Sequence, residues 1–260
     1  MLALPLYDDT PSPRPPVVTI AVIFACSAIF LWQLGQGERG AERVALEYGL
    51  IPSVLFGAAE LPPSLDRVPA WATLVTSMFL HGGWLHLIGN MIYLWIFGKS
   101  VESTLGPMRF AIFYLVTGLG AALVQALVDP AAEVPVIGAS GAIAGILGAY
   151  LVLYPRGNVV VFIWIFVFVR LVSVPAVILL GLWFLLQLVG ALSAPASDSG
   201  VAVWAHVGGF VMGAVLVVFF RRPGTGMFGP ARTNPFAMDR AAGRFGARLP
   251  PPRDQRGPWE

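Results

Sequence analysis

The sequence predicts an all-α, polytopic membrane protein built as a six-transmembrane-helix bundle. Two observations carry this. Of its 260 residues, 57% are hydrophobic and only 12% charged, with a mean hydropathy of +0.77; a soluble domain carries about 25% charged residues. The apolar residues also fall into separate stretches near the ~20 residues that a helix needs to cross the hydrocarbon core.

Six such stretches stand out, at 17–34, 78–98, 110–128, 136–154, 174–192 and 201–220. Helix breakers separate them: Gly35 and Gly37, Gly106 and Pro107, Asp129 and Pro130, Pro155 to Gly157, and the polar run 193–200. Residues 159–173 are apolar too, but number only 15 and contain Arg170. They are expected to form an interfacial or re-entrant piece leading into the fifth span. Were they to cross, the count would be seven.

Basic residues decide between these counts, because Lys and Arg accumulate on the cytoplasmic side. With six spans and a cytoplasmic N-terminus, the inside segments hold 13 of the 16 basic residues: Arg14, Lys99, Arg109, Arg156, Arg170 and eight arginines after residue 220. The outside holds Arg39, Arg43 and Arg67. A seventh span would put the arginine-rich tail outside.

The expected organisation is a short cytoplasmic N-terminal segment (1–16), a six-span domain (17–220) and a cytoplasmic tail (221–260). The first segment is acidic and proline-rich, unlike a basic signal sequence or an arginine-rich transit peptide. The tail is rich in Arg, Pro and Gly without periodicity, and is expected to be disordered. The first loop (35–77) is too long for a plain turn. Its apolar Leu50, Ile51, Val54, Leu55 and Phe56 look exposed, and short interfacial helices are expected there. Cys26, the single cysteine, lies in an apolar run, so no intrachain disulfide and no thiolate metal cluster is expected. Nothing in the charge pattern points to nucleic acid.

Ionisable groups inside spans are costly and usually functional. All three histidines fall in or beside even-numbered spans: His81 and His86 in the second, His206 in the sixth. Asn90 follows His86 by four residues and shares its helix face. Ser140 sits near the start of the fourth span. In the six-span topology these spans all begin on the outer side. Ser140 and His206, four or five residues in, would lie some ~6–8 Å below the outer boundary.

A serine and a neutral histidine at common depth make a nucleophile and its general base. No Asp or Glu falls inside spans two to six as drawn, so a dyad is expected rather than a triad. Asn90, His86 and the Ser140 backbone N–H offer donors for a developing oxyanion. Gly138 and Gly141 would let backbone and substrate approach. The pairs Gly141/Gly145 and Gly209/Gly213 have the small-xxx-small spacing that lets helices pack closely in lipid. Each group also has a plainer reading. A membrane serine commonly bonds its own helix backbone, and a histidine in a span could join two helices or carry protons.

These residues resemble those of bacterial rhomboid proteases. The match rests on HGGWLHLIGN at 81–90, GASG at 138–141 and AHVGGFVMG at 205–213, within a region from about residue 17 to 220. The resemblance implies Ser140 as nucleophile, His206 as general base, and His86 with Asn90 as oxyanion support. His81 would be structural, tying the first loop to the second span. It further implies a serine endopeptidase without cofactor or metal, cleaving single-span membrane proteins within the lipid bilayer, with a small residue before the scissile bond. Two positions depart from the family pattern. Trp71 is followed by Ala72 where many members have arginine. Ala144 stands where some members stack an aromatic ring on the histidine, so His206 must be positioned otherwise.

The alternatives are a non-catalytic rhomboid-like protein that binds membrane helices, and an unrelated transporter using the histidines as a proton path. No inverted repeat supports the latter. The composition and six-span layout point to a bacterial plasma membrane with both termini cytoplasmic.

Overall fold

The structure is a computed structural model, and it describes residues 2–10, 12–165, 168–193 and 202–228. The chain is mostly helical. It begins with a strand, β1 (Leu2–Asp8), followed by the long helix α1 (Val17–Gly35). The first loop holds α2 (Gly37–Tyr48), α3 (Pro52–Leu55) and α4 (Thr73–Thr76), the last flanked by 3-10 turns. Then come α5 (Trp84–Tyr93), a π-helical turn (Leu94–Gly98) and α6 (Lys99–Leu105), α7 (Pro107–Val128) and α8 (Ser140–Leu153). A hairpin of β2 (Asn158–Ile165) and β3 (Phe168–Pro175) leads to α9 (Ala176–Ser193), and α10 (Val203–Phe220) closes the bundle.

Four helices, α1, α7, α9 and α10, are long and apolar enough to cross a membrane. The second and fourth predicted spans do not reach that length as single α-helices. The second is a 3-10 turn, a bend and then a helix interrupted by the π turn. The fourth is α8, only 14 residues or about 21 Å long. Nearly every side chain of α8 is buried within the bundle, so neighbouring helices, not lipid, surround it.

Composition explains that central place. The run Gly141 to Ala149 consists of Gly, Ala, Ile and Leu, and its small residues admit close neighbours. A Cβ added at Gly145 would press on Thr117 of α7, and one at Gly141 would come within 2.7 Å of Ala121. On the other side, added carbons at Gly209 and Gly213 of α10 would overlap the carbonyl oxygens of Gly141 and Gly145. The three helices thus meet almost backbone to backbone.

Several expectations need correction. Residues 159–165 and 168–173, expected as an interfacial or re-entrant piece, lie in the two strands of an antiparallel hairpin, and β1 adds to it as a third strand in the order β1-β2-β3. Their Val-rich composition suits strands, and Val159 and Val161 turn inward. The N-terminal segment is therefore partly folded. Its Asp8 carboxylate accepts from Ser100 Oγ at 2.9 Å and Tyr150 OH at 2.9 Å, bonds Thr10, and pairs with Lys99 Nζ at 3.1 Å. Leu50 and Ile51 are not exposed but buried, where Leu50 forms an antiparallel bridge with Val136. A carboxylate also enters the second helix once it is drawn to its true end. Glu102 is 2% exposed and caps α1, accepting from Val18 N (2.9 Å), Thr19 N (2.8 Å) and Thr19 Oγ1 (2.7 Å). Of the tail expected to be disordered (221–260), residues 221–228 are described and held by bonds from Arg221 Nη1 to Thr225 O (2.6 Å) and from Arg222 Nη2 to Ser103 O (3.1 Å), while 229–260 lie outside the described residues.

Candidate active site

Ser140 is the first residue of α8, not one turn inside a helix as its place in the predicted span implied. The approach is made by Gly138, whose φ of +125° is hard for a residue with a side chain. Its N–H donates to Ser77 O at 2.8 Å, anchoring the turn to the entry of the second span. Space is equally restrictive. A Cβ at Gly138 would lie 2.8 Å from both Cε1 and Nε2 of His86.

His206 lies in the first turn of α10. That helix end is held by Gln125 of α7, whose Oε1 accepts from Ala205 N at 3.2 Å. His206 and Gly209 are three residues apart and share a face. Seating Gly209 on the Gly141 carbonyl therefore also brings the imidazole over the start of α8. The result is a hydrogen bond of 2.8 Å between Ser140 Oγ and His206 Nε2. Gln187 of α9 faces the other ring nitrogen, with its Oε1 2.8 Å from His206 Nδ1. Trp183, one turn earlier on α9, packs against the imidazole with ring centroids 5.9 Å apart. Ala144 is buried and cannot hold the ring by stacking.

A cavity of about 900 Å³ opens among α5, α8, α9 and α10, lined by His86, Asn90, Ser140, Trp183, Gln187 and His206. Asn90 Nδ2 is buried there with no hydrogen-bond partner among the described residues, so it is an unspent donor. His86 Nδ1 receives the Gly82 N–H at 3.4 Å, which leaves its Nε2 to carry the proton. Ser140 N–H, at a helix start, has no intrahelical acceptor. Three donors therefore belong to the walls of the cavity that holds the serine.

His81 does not join them. It precedes α5, is 2% exposed, and is tied to α1 rather than to the first loop. Its N–H donates to Gln33 Oε1 at 3.1 Å, and Gln33 Nε2 donates to its carbonyl at 3.4 Å. Its ring meets the His86 ring edge-on at 5.2 Å. A second cavity of about 700 Å³, between α1, β1 and α5, is almost wholly apolar and has no ionisable lining residue.

Sequence reasoning missed Gln187 and Gln125. Both are amides inside apolar helices, and an amide in a span is itself a signal, because lipid offers it no partner.

Residues 69–223, more than half of the chain, match the Rhomboid domain family. The chain belongs to the rhomboid family. RHOMBOID-like protein 5 of Arabidopsis thaliana is 46% identical over 78 residues, covering 30% of this chain and 25% of that protein. Rhomboid protease GluP of Bacillus subtilis (strain 168) is 33% identical over 138 residues, 53% of this chain and 24% of that protein. Rhomboid-related protein 2 of Mus musculus is 26% identical over 199 residues, 75% and 61% of the two chains. This rhomboid matches its first curated relatives over only about a quarter of their length. Family and helices together make it a multi-pass membrane protein.

Proposed function

We propose that this rhomboid is an intramembrane serine endopeptidase that cleaves transmembrane segments of single-span membrane proteins through a Ser140–His206 dyad. The observation that carries this reading is the 2.8 Å contact between Ser140 Oγ and His206 Nε2 inside a cavity rich in N–H donors. Protease-named relatives such as GluP support it.

In this reading His206 Nε2 takes the hydroxyl proton as Ser140 Oγ attacks the scissile carbonyl carbon. The carbonyl oxygen becomes an oxyanion, stabilised by Asn90 Nδ2, His86 Nε2 and the Ser140 N–H. Collapse breaks the C–N bond, and the imidazolium returns its proton to the leaving amine. Water entering the cavity then repeats the sequence in reverse on the acyl-enzyme and frees Ser140. The substrate helix must unwind to offer a peptide bond, which favours substrates with helix-breaking residues near the cut. The charge asymmetry supports cytoplasmic termini, a site in the outer half of the bilayer, and a bacterial plasma membrane as its location.

The test is cleavage of a single-span reporter in proteoliposomes by wild type, Ser140→Ala and His206→Ala. Cleavage by wild type alone is expected. Equal cleavage by all three overturns the dyad. If none cleaves, labelling of Ser140 by a fluorophosphonate separates a selective protease from a helix-binding relative.

A further inference from the structure

We infer that Gln187 is a positioning residue that fixes the imidazole of His206 in the one tautomer able to act as a base. The inference rests on the dyad reading above and concerns a residue that no sequence motif marks. A neutral imidazole carries its proton on Nδ1 or on Nε2, and only the Nδ1–H form leaves a lone pair at Nε2. Ser140 Oγ faces Nε2, so the dyad works only if something holds the proton on Nδ1. In the Ser-His-Asp arrangement a buried carboxylate does this. Among the described residues no carboxylate bonds His206; the group facing Nδ1 is Gln187 Oε1 at 2.8 Å, a neutral carbonyl acceptor.

The geometry gives the amide a specific duty. With Oε1 toward the ring, Nδ1–H donates and Nε2 is free to receive the Ser140 proton. With the amide turned over, its NH2 would donate to Nδ1, the ring proton would move to Nε2, and the imidazole would donate to Ser140 instead of activating it. Trp183 stands four residues before Gln187 on the same face of α9 and limits rotation of the ring from its side. The pair supplies the orientation that Ala144, on α8, cannot. An amide also suits a site walled by apolar helices, since it orients the ring without placing a second charge in it.

The test reads the tautomer directly. The full chain, with its three histidines ¹⁵N-labelled, is placed in detergent micelles, and long-range ¹H–¹⁵N correlation reports which ring nitrogen of His206 carries the proton; loss of the signal in His206→Ala assigns it. Wild type is expected to show a protonated Nδ1. Gln187→Leu, similar in size but without the acceptor, is expected to show mixed tautomers and to cleave the reporter roughly 10- to 100-fold more slowly, no more than the smallest contribution of a general base, because part of the ring population keeps the working tautomer. Gln187→Glu, which keeps the acceptor, is expected to retain Nδ1–H and most of the activity. A protonated Nε2 in an active wild type overturns the inference alone, as does Gln187→Leu with unchanged tautomer and unchanged rate. The wild-type spectrum decides the matter even if a variant misfolds. A protonated Nδ1 in a wild type that cleaves nothing and resists fluorophosphonate sinks the protease reading while leaving Gln187's hold on the ring in place.

Discussion

The carbonyl oxygen of Gly141 on α8 occupies the space that a side chain at Gly209 on α10 would need. This contact is what lets a residue of α10 reach the first residue of α8, because His206 and Gly209 share a helix face. Gly209→Ala should therefore push α10 outward, lengthen the Ser140–His206 bond and cost about 1–3 kcal/mol of stability, as overpacking does. Reporter cleavage should fall more than ten-fold, about 1.4 kcal/mol in barrier terms. Gly181→Ala on α9 is the control, since nothing lies within 4 Å of its added carbon. A thermal melt and a cleavage rate for each variant check this, and equal behaviour of the two would remove the close contact from the explanation.

Asn90 Nδ2 is the unspent donor of the cavity wall. Asn90→Ala is expected to lower kcat by ~10²-fold or more, the loss seen when one oxyanion donor is removed, while Ser140 still reacts with a fluorophosphonate. Stability should change little, because Nδ2 has no partner among the described residues for its removal to leave unpaired. A variant with wild-type kcat would show that the amide does not meet the reacting oxygen.

Glu102 caps a helix to which it is not joined in sequence. Glu102→Ala leaves Val18 N, Thr19 N and Thr19 Oγ1 without their acceptor. The expected loss is about 2 kcal/mol, between that of an ordinary N-cap and that of a charge-assisted bond. Because Glu102 lies in the middle of α6, beyond the π turn and about four helical turns along from His86, folded protein should keep its KM. The melting temperature and KM together test this: an unchanged melt would show that water replaces the carboxylate at no cost.

In the first loop, Glu47 accepts from Arg43 Nε at 2.7 Å and lies 3.4 Å from Arg67 Nε. Burial pushes its carboxyl up, but the hydrogen bonds and charges of the two arginines outweigh this and hold it below its ordinary 4.5. A carboxylate with a lowered pKa in the fold stabilises above the unfolded value and ceases to do so as pH falls through the folded one. Wild type should thus melt above Glu47→Gln at pH 7, and the gap should close as the pH drops below about 4.5. A gap independent of pH would point to packing of the side chain and not to its charge.

Much of the fold was legible from contiguous residues. The apolar run 110–128 falls within α7, and most of the run drawn at 201–220 became α10 (Val203–Phe220), because lipid and core alike require internally bonded helix there. The breakers Gly106 and Pro107 did separate two helices, Gly106 with a φ of +85°. The polar residues His86, Asn90, Ser140 and His206 stood out because an apolar span gives such groups no solvent, and the structure lines one cavity with all four.

The length of an apolar run did not determine what surrounded it or how it folded. Residues 159–165 became a strand beside β1, which lies some 150 residues earlier and offers a backbone edge in register with it; a hydropathy pattern contains no record of that partner. The start of α8 at Ser140 depends on a bond from Gly138 N to Ser77 O, and the cap of α1 on a carboxylate 83 residues away. The choice of Gln187 to face Nδ1 is of the same kind. The sequence by itself determined that the long apolar runs such as 17–34 and 110–128 must be helical and which polar groups need shelter, since the cost of burying an unpaired backbone or side-chain dipole is set residue by residue. Only the tertiary structure decided which partner each sheltered group received, because that depends on how close two helices come, and here the closeness was set by Gly141 and Gly209 meeting without a side chain between them.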